Sequence, residues 1–240
     1  MTDTFTEEHR TKLEQYLSTH ELPSGFGSKE SACSIAAINL AIKGELTDTI
    51  PACMSEVLGQ ATIKLQDAMP DVLRNSNRYK ALLPNMAGTG RDKEQERLGV
   101  LLDWMWVTVL PQLQDTADTY GFGVEWSRMC RERSHDAAAR AYTAAYAAAA
   151  TYDAAAAVAR DAAVARAAAD AAVAAAVAAV ARAAAADAAD AAAAAAVAAT
   201  YAAAVKNRDA FWQVVDPIGL LERMTYLEDV SCQRTRFSCC

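Results

Sequence analysis

Residues 137–205 read AAAR AYTAAYAAAA TYDAAAAVAR DAAVARAAAD AAVAAAVAAV ARAAAADAAD AAAAAAVAAT YAAAV. Of these 69 residues 46 are alanine, and the stretch Ala137–Val205 contains neither glycine nor proline. Alanine has the highest intrinsic helix propensity because it loses no side-chain entropy on folding. With both helix breakers absent, the composition dictates helix. A single rod of this length would extend about 104 Å, at about 1.5 Å per residue.

The minority residues set out local faces. Tyr142 and Tyr146 are four apart; Val173, Val177 and Val180 follow i, i+4, i+7; Val197, Tyr201 and Val205 follow i, i+4, i+8. These eight residues are the expected helix-packing interface. No apolar stripe keeps one face along the whole run, so the partner changes along it or the rod is broken. Asp153, Asp170 and Asp187 recur every seventeen residues and are candidate helix starts, or drift in a low-complexity tract. Hairpins rarely turn without Gly, Asn or Pro, which favours one or two long helices over four short ones. Alanine lets facing backbones approach to the lower end of the interaxial range of about 8–10 Å. The run therefore predicts a tight seam, against the same chain or a second copy.

Recurrent Arg and Asp exclude a membrane span, and four Arg against five Asp leave no nucleic-acid arm. The full chain has 240 residues and a net charge of −7, a poor balance for binding DNA or RNA. Its length allows a buried core without staples. The start, Thr6-Glu7-Glu8-His9-Arg10, has no secretory character, so reduced thiols and a cytoplasmic setting are expected. Cys33 and Cys53 lie in apolar patterns and read as small buried hydrophobes. Cys232, Cys239 and Cys240 lack a nearby His and make an incomplete zinc set.

The expected architecture is all-α: a helical domain over 1–136, the alanine-rich segment over 137–205, and a closing helix and tail over 206–240. Helices are predicted from Thr4 to Thr19 with Thr4 or Thr6 as cap, and from Ser28 to Lys43 with Gly44 as the stop. Others are predicted from Pro51 to about Ala68, in short pieces over Pro70–Leu83, and from Arg91 to Tyr120 with a kink at Pro111. Leu98, Leu101, Leu102, Met105 and Val109 give the last of these its apolar face. Val124 starts a helix that continues into the alanine run unless Ser134 caps a new one. Pro217 opens a helix to about Glu228, whose Ile218, Leu221 and Met224 should dock on the first domain.

Two glycine loops each precede a predicted helix and carry a cation. Gly25, Gly27, Ser28 and Lys29 form one; Gly88, Gly90, Arg91 and Lys93 form the other. Free amides at a helix start attract phosphate or carboxylate, so these are candidate anion-binding sites. Neither loop has the strand and the Gly-Lys-Ser/Thr spacing of a phosphate loop. Cys130 and His135 stand five apart, a step that points helical side chains away from each other, and a solvated His is expected. Glu94, Glu96 and Asp103 read as a solvated face. No catalytic residue, metal site or cofactor is expected.

The layout of Ser24-Gly25-Phe26-Gly27-Ser28-Lys29-Glu30-Ser31, an Ala/Tyr/Asp tract and Asp216-Pro217-Ile218-Gly219-Leu220-Leu221-Glu222-Arg223 resembles uncharacterised alanine-rich proteins of tailed phages and bacteria, some labelled immunity proteins. That resemblance implies a setting in phage–host or immunity biology and carries no catalytic residue. By composition the run also resembles the type I antifreeze proteins of fish. Those space threonine every eleven residues, whereas Thr143, Thr151 and Thr200 are eight and forty-nine apart. The expected function is a non-enzymatic helical protein that binds or inhibits a protein partner or self-associates as a homo-oligomer. A small-molecule or nucleotide binder and an ice-binding protein are the alternatives.

Overall fold

The computed structural model describes residues 4–153, 167, 168, 170–172, 174, 197, 202 and 208–227. The chain is all-α, and among the described residues there is no strand. Helix α1 spans Glu7–Thr19. Thr6 is its cap: the hydroxyl accepts from the His9 amide, and His9 Nδ1 accepts from the Thr6 amide. Glu or Gln is the usual residue in that second role; here an imidazole fills it.

Helix α2 spans Ser34–Lys43, and its cap is Cys33, not the predicted Ser28. Gly25 and Gly27 adopt φ of 75° and 81°, and Ser28 and Ser31 exchange backbone hydrogen bonds (2.9 and 3.3 Å), so the chain turns back on itself before helix begins. Cys33 then caps α2, its Sγ accepting from the Ala36 amide. Gly44 ends α2 in the left-handed conformation, φ 71°, as expected.

Helix α3 spans Glu56–Ala68 and starts after Pro51, not at it. The Met54 amide donates to the Pro51 carbonyl (3.0 Å) in a turn, and Ser55 is the cap. Two short helices follow, α4 (Asp71–Arg74) and α5 (Asn77–Met86); Pro84 lies inside α5 rather than beyond it.

The predicted helix from Arg91 to Tyr120 is divided. Helix α6 spans Glu94–Trp104, a π-helical turn spans Met105–Val109, a 3₁₀ turn spans Leu110–Leu113, and α7 spans Gln114–Thr119. Pro111 has no N–H, and its ring crowds the carbonyl four residues back, that of Val107. The chain widens in response: the Leu110 amide reaches the Met105 carbonyl, five residues back.

Helix α8 spans Gly123–Glu132 and α9 spans His135–Asp153. They are not continuous. Arg133 is left-handed (φ 49°), and the Ser134 hydroxyl accepts from the Ala137 amide to start α9. Every described residue from Ala167 to Ala202 is helical. Helix α10 spans Arg208–Val215 and α11 spans Pro217–Thr225, with Asp216 as the N-cap of α11. As expected, α11 docks on the N-terminal helices, against α3, α5 and α6, burying Ile218, Leu220, Leu221 and Met224.

One hydrophobic cluster joins these elements. It contains all four tryptophans (Trp104, Trp106, Trp126 and Trp212), together with Ala137, Ala138, Ala141, Ala145, Ala168, Ala171, Ala172, Ala174 and Ala202. The seam of α9 is therefore its alanines. Tyr142 is half-buried against the cluster, while Tyr146 stands 56% exposed with its ring 5.9 Å from that of Tyr142. The tyrosine pair thus divides between protein and solvent, because the small side chains take the close contact. Val197 packs against the cluster. Val173, Val177, Val180, Tyr201 and Val205 lie outside the described residues.

Candidate protein-interaction site

The first glycine loop folds its amides inward. The Gly25 amide donates to Asp67 Oδ1 (2.8 Å). The Ala32 amide donates to the Tyr16 hydroxyl (2.8 Å), which itself donates to the Lys29 carbonyl (3.2 Å). The Cys33 amide donates to the Phe26 carbonyl, and Ser31 Oγ to the Glu21 carbonyl. Ser28 Oγ is taken by Glu30, donating to its carboxylate and accepting from its amide. Tyr16 is stacked on His20 with ring centroids 4.2 Å apart.

This loop is thus tied to α1, α3 and its own turn. A side chain at Gly27 would strike the Ser31 carbonyl oxygen. Between the two left-handed glycines, Phe26 is 41% exposed. Ser28, Lys29 and Glu30 flank it, all exposed. The result is an ordered loop that holds an aromatic ring toward solvent, with charges of both signs beside it.

The second glycine loop is also spent internally. The Gly90 amide donates to the Cys53 carbonyl (2.9 Å). Thr89 Oγ1 accepts from the Ser55 amide and donates to the Met86 carbonyl. Gly88 lies in the same turn, and a Cβ there would only touch the Phe5 ring, at 4.0 Å. Arg91 pairs with Glu56 (2.7 Å), and Lys93 precedes α6.

A carboxylate of the chain itself occupies one helix start, that of α3, which directly follows neither glycine loop in sequence. Glu94 accepts from Ser55 Oγ (2.8 Å), the Glu56 amide (2.8 Å) and the Val57 amide (3.0 Å) at the beginning of α3. Glu94 therefore does not belong to a solvated face with Glu96 and Asp103; of these, Asp103 pairs with Arg133 (3.6 Å).

Two buried guanidinium groups complete the polar interior. Arg74 serves the Leu22, Gln66 and Met69 carbonyls and pairs with Asp71. Arg97 serves the Met224, Gly90 and Thr89 carbonyls. Tyr79 and Ser34 share a buried hydroxyl–hydroxyl bond (2.9 Å), and burial pushes the Tyr79 phenol well up. Burial also pushes the Cys33 thiol up, and the Cys130 thiol up to about 11, which makes both poor nucleophiles. His135 is exposed beside Asp136.

Among the described residues no group of three or more His, Cys, Asp or Glu is placed to hold a metal ion, and no helix is long and apolar enough to cross a membrane. No family model, no curated protein and no solved structure matches the chain.

Proposed function

We propose that the chain is a non-enzymatic helical protein that binds and blocks another protein, in the phage–host or immunity setting that its layout resembles. The carrying observation is Phe26, an aromatic ring held out on a loop already ordered by hydrogen bonds at both ends. Aromatic anchors carry much of the energy of protein interfaces, and an anchor ordered beforehand loses little entropy on binding. The Gly25 amide is engaged by Asp67 and the Arg91 guanidinium by Glu56, which favours protein contact over a free phosphate at these loops.

The test is recovery from a bacterial host lysate with the full chain as bait, wild type beside Phe26→Ala. The expected result is a stoichiometric protein recovered by the wild type and lost, or reduced at least about tenfold, by the variant, the effect of a hot-spot truncation of about 1.4 kcal/mol or more. Equal recovery by the two baits would remove Phe26 from the interface. No recovery by the wild type would count against the function itself.

A further inference from the structure

The corner between α8 and α9 gathers a ring of four charges. Glu125, Arg128 and Glu132 stand at i, i+3 and i+7, on one face of α8. Arg128 pairs with both acids, Nη1 with Glu125 Oε2 (3.3 Å) and Nε with Glu132 Oε1 (3.9 Å). Arg140, in the second turn of α9, pairs with the same two acids, Nη2 with Glu132 Oε2 (3.1 Å) and Nε with Glu125 Oε2 (3.7 Å). Each carboxylate thus lies between two guanidinium groups, one from its own helix and one from the next. The four side chains keep between 29% and 46% of their surface exposed, so salt reaches the ring.

The two helices that meet at this corner are held by different means. Helix α8 buries Trp126 and Met129 completely, and Trp126 Nε1 donates to the Leu110 carbonyl (2.9 Å). Gln114 Nε2 donates to the Gly123 carbonyl (3.1 Å), which ties the start of α8 to α7. On its buried side α9 has Ala137, Ala138, Ala141 and Ala145, whose methyl groups remove little apolar area from water. The ion ring therefore weighs more in the docking of α9 than in that of α8. The corner itself is turned at a cost. Arg133, the C-cap of α8, lies in the left-handed region at φ 49°, unfavourable for a residue with a side chain. That cost disappears when the corner opens and the backbone at Arg133 relaxes, and the ring opposes the opening. Arg133 also pairs with Asp103 on α6 (3.6 Å), a contact that holds the end of α8 and does not reach α9.

We propose that Arg140, closed into a ring with Glu125, Arg128 and Glu132, is a salt-sensitive latch that holds α9 on α8, and that α9 opens at the Arg133–Ser134 corner while α8 stays in the core. Exposed ion pairs are screened as ionic strength rises, whereas the apolar anchoring of α8 is not. The device places the docking of the first part of the alanine-rich segment under the control of ionic strength, through an opening that falls short of global unfolding.

Hydrogen exchange on the full chain tests this, following peptides over α9 and α8 with α2 as internal reference, at about 0.05 M and about 1 M NaCl, salt concentrations that bracket weak and strong screening. A helix of this length frays in water once undocked, so the α9 amides report the opening. In Arg140→Gln, which keeps a long polar side chain without the charge, α9 amides are expected to exchange about fivefold faster at low salt, with α8 unchanged. The wild type should show the same acceleration on going to high salt, and the variant should lose most of that salt dependence. Equal acceleration of α9 and α8 would mean that they leave together and would overturn the opening at the corner. A wild-type α9 rate independent of salt would overturn the latch, and this arm decides even if Arg140→Gln fails to fold. A variant that keeps the full wild-type salt dependence would assign the effect to other charges and would also overturn the proposal.

Discussion

Gly27 and Gly99 show how much depends on what surrounds a glycine. Gly27 has φ 81°, and a methyl group there would fall on the Ser31 carbonyl oxygen and within 2.8 Å of Pro23 Cγ. The left-handed conformation alone costs a substituted residue about 1–2 kcal/mol, so Gly27→Ala should lose at least that in urea unfolding and loosen the Phe26 loop. Unchanged stability would show that the loop adapts. Gly99 lies within α6 with open space where a Cβ would go. Gly99→Ala should therefore stabilise by about 0.5–1 kcal/mol through the unfolded chain and helix propensity, measured in the same experiment; a loss would mean that the space is needed. Cys130 supplies a pH dependence. Its thiol is raised from 9.0 to about 11 by burial. A group raised in the folded state stabilises fully below the unfolded value and loses that contribution as pH rises through the folded one. Stability should thus fall between about pH 9 and pH 11 by about 1–2 kcal/mol, a figure reduced because the residue keeps some exposure. Cys130→Ala should flatten that part of the curve relative to wild type, and parallel curves would exclude the thiol as the cause.

At the level of elements, helix starts and stops depend on contacts that join distant parts of the chain. The stop at Gly44, the break at Pro111 and the helicity of the described residues of the alanine run are legible because glycine, proline and alanine act through local backbone physics. The start of α3 at Glu56 is not, because Glu94, far along the chain, provides the acceptor that satisfies its first amides. Likewise Ser28 looks like a cap, but Tyr16, Asp67 and Glu21 draw residues 25–32 into a turn and leave the capping to Cys33. Phe26 has no pattern to mark it: its exposure follows from the two flanking left-handed glycines, which the sequence suggests instead as an anion cradle. Glu94→Ala would leave the Ser55 hydroxyl and two amides without their acceptor, and should cost about 1–3 kcal/mol in chemical denaturation. Glu94→Gln, which keeps one acceptor oxygen, should lose less. Equal losses in the two would mean that packing, rather than capping, explains the residue's place.

For the whole molecule, the division into 1–136, 137–205 and 206–240 marks composition, while the core crosses all three. Ile35 and Leu58 from the first segment, Ala141 and Ala171 from the second, and Trp212 and Leu221 from the third belong to one buried cluster. Each fully buried Ile, Leu or Met side chain of α11 contributes about 1.5–3 kcal/mol relative to exposure, against a total domain stability of about 5–15 kcal/mol. Alanine buries little area, so residues 137–145 hold their place through close backbone approach and by the cap and ion pairs that start α9: Ser134 on the Ala137 amide, and Arg140 to Glu132 (3.1 Å) and Glu125 (3.7 Å). A seam of this kind tolerates no larger side chain. Ala141→Leu, at a position with no exposed surface, should overpack the α9 contact and destabilise the whole chain by about 1–3 kcal/mol. Because the core is shared, that loss should appear as one displaced transition, coincident by circular dichroism and tryptophan fluorescence, since all four tryptophans lie in the same cluster. A second transition in the wild type, or an Ala141→Leu effect seen by dichroism while the fluorescence midpoint stays in place, would show that the alanine-rich segment folds apart from the rest.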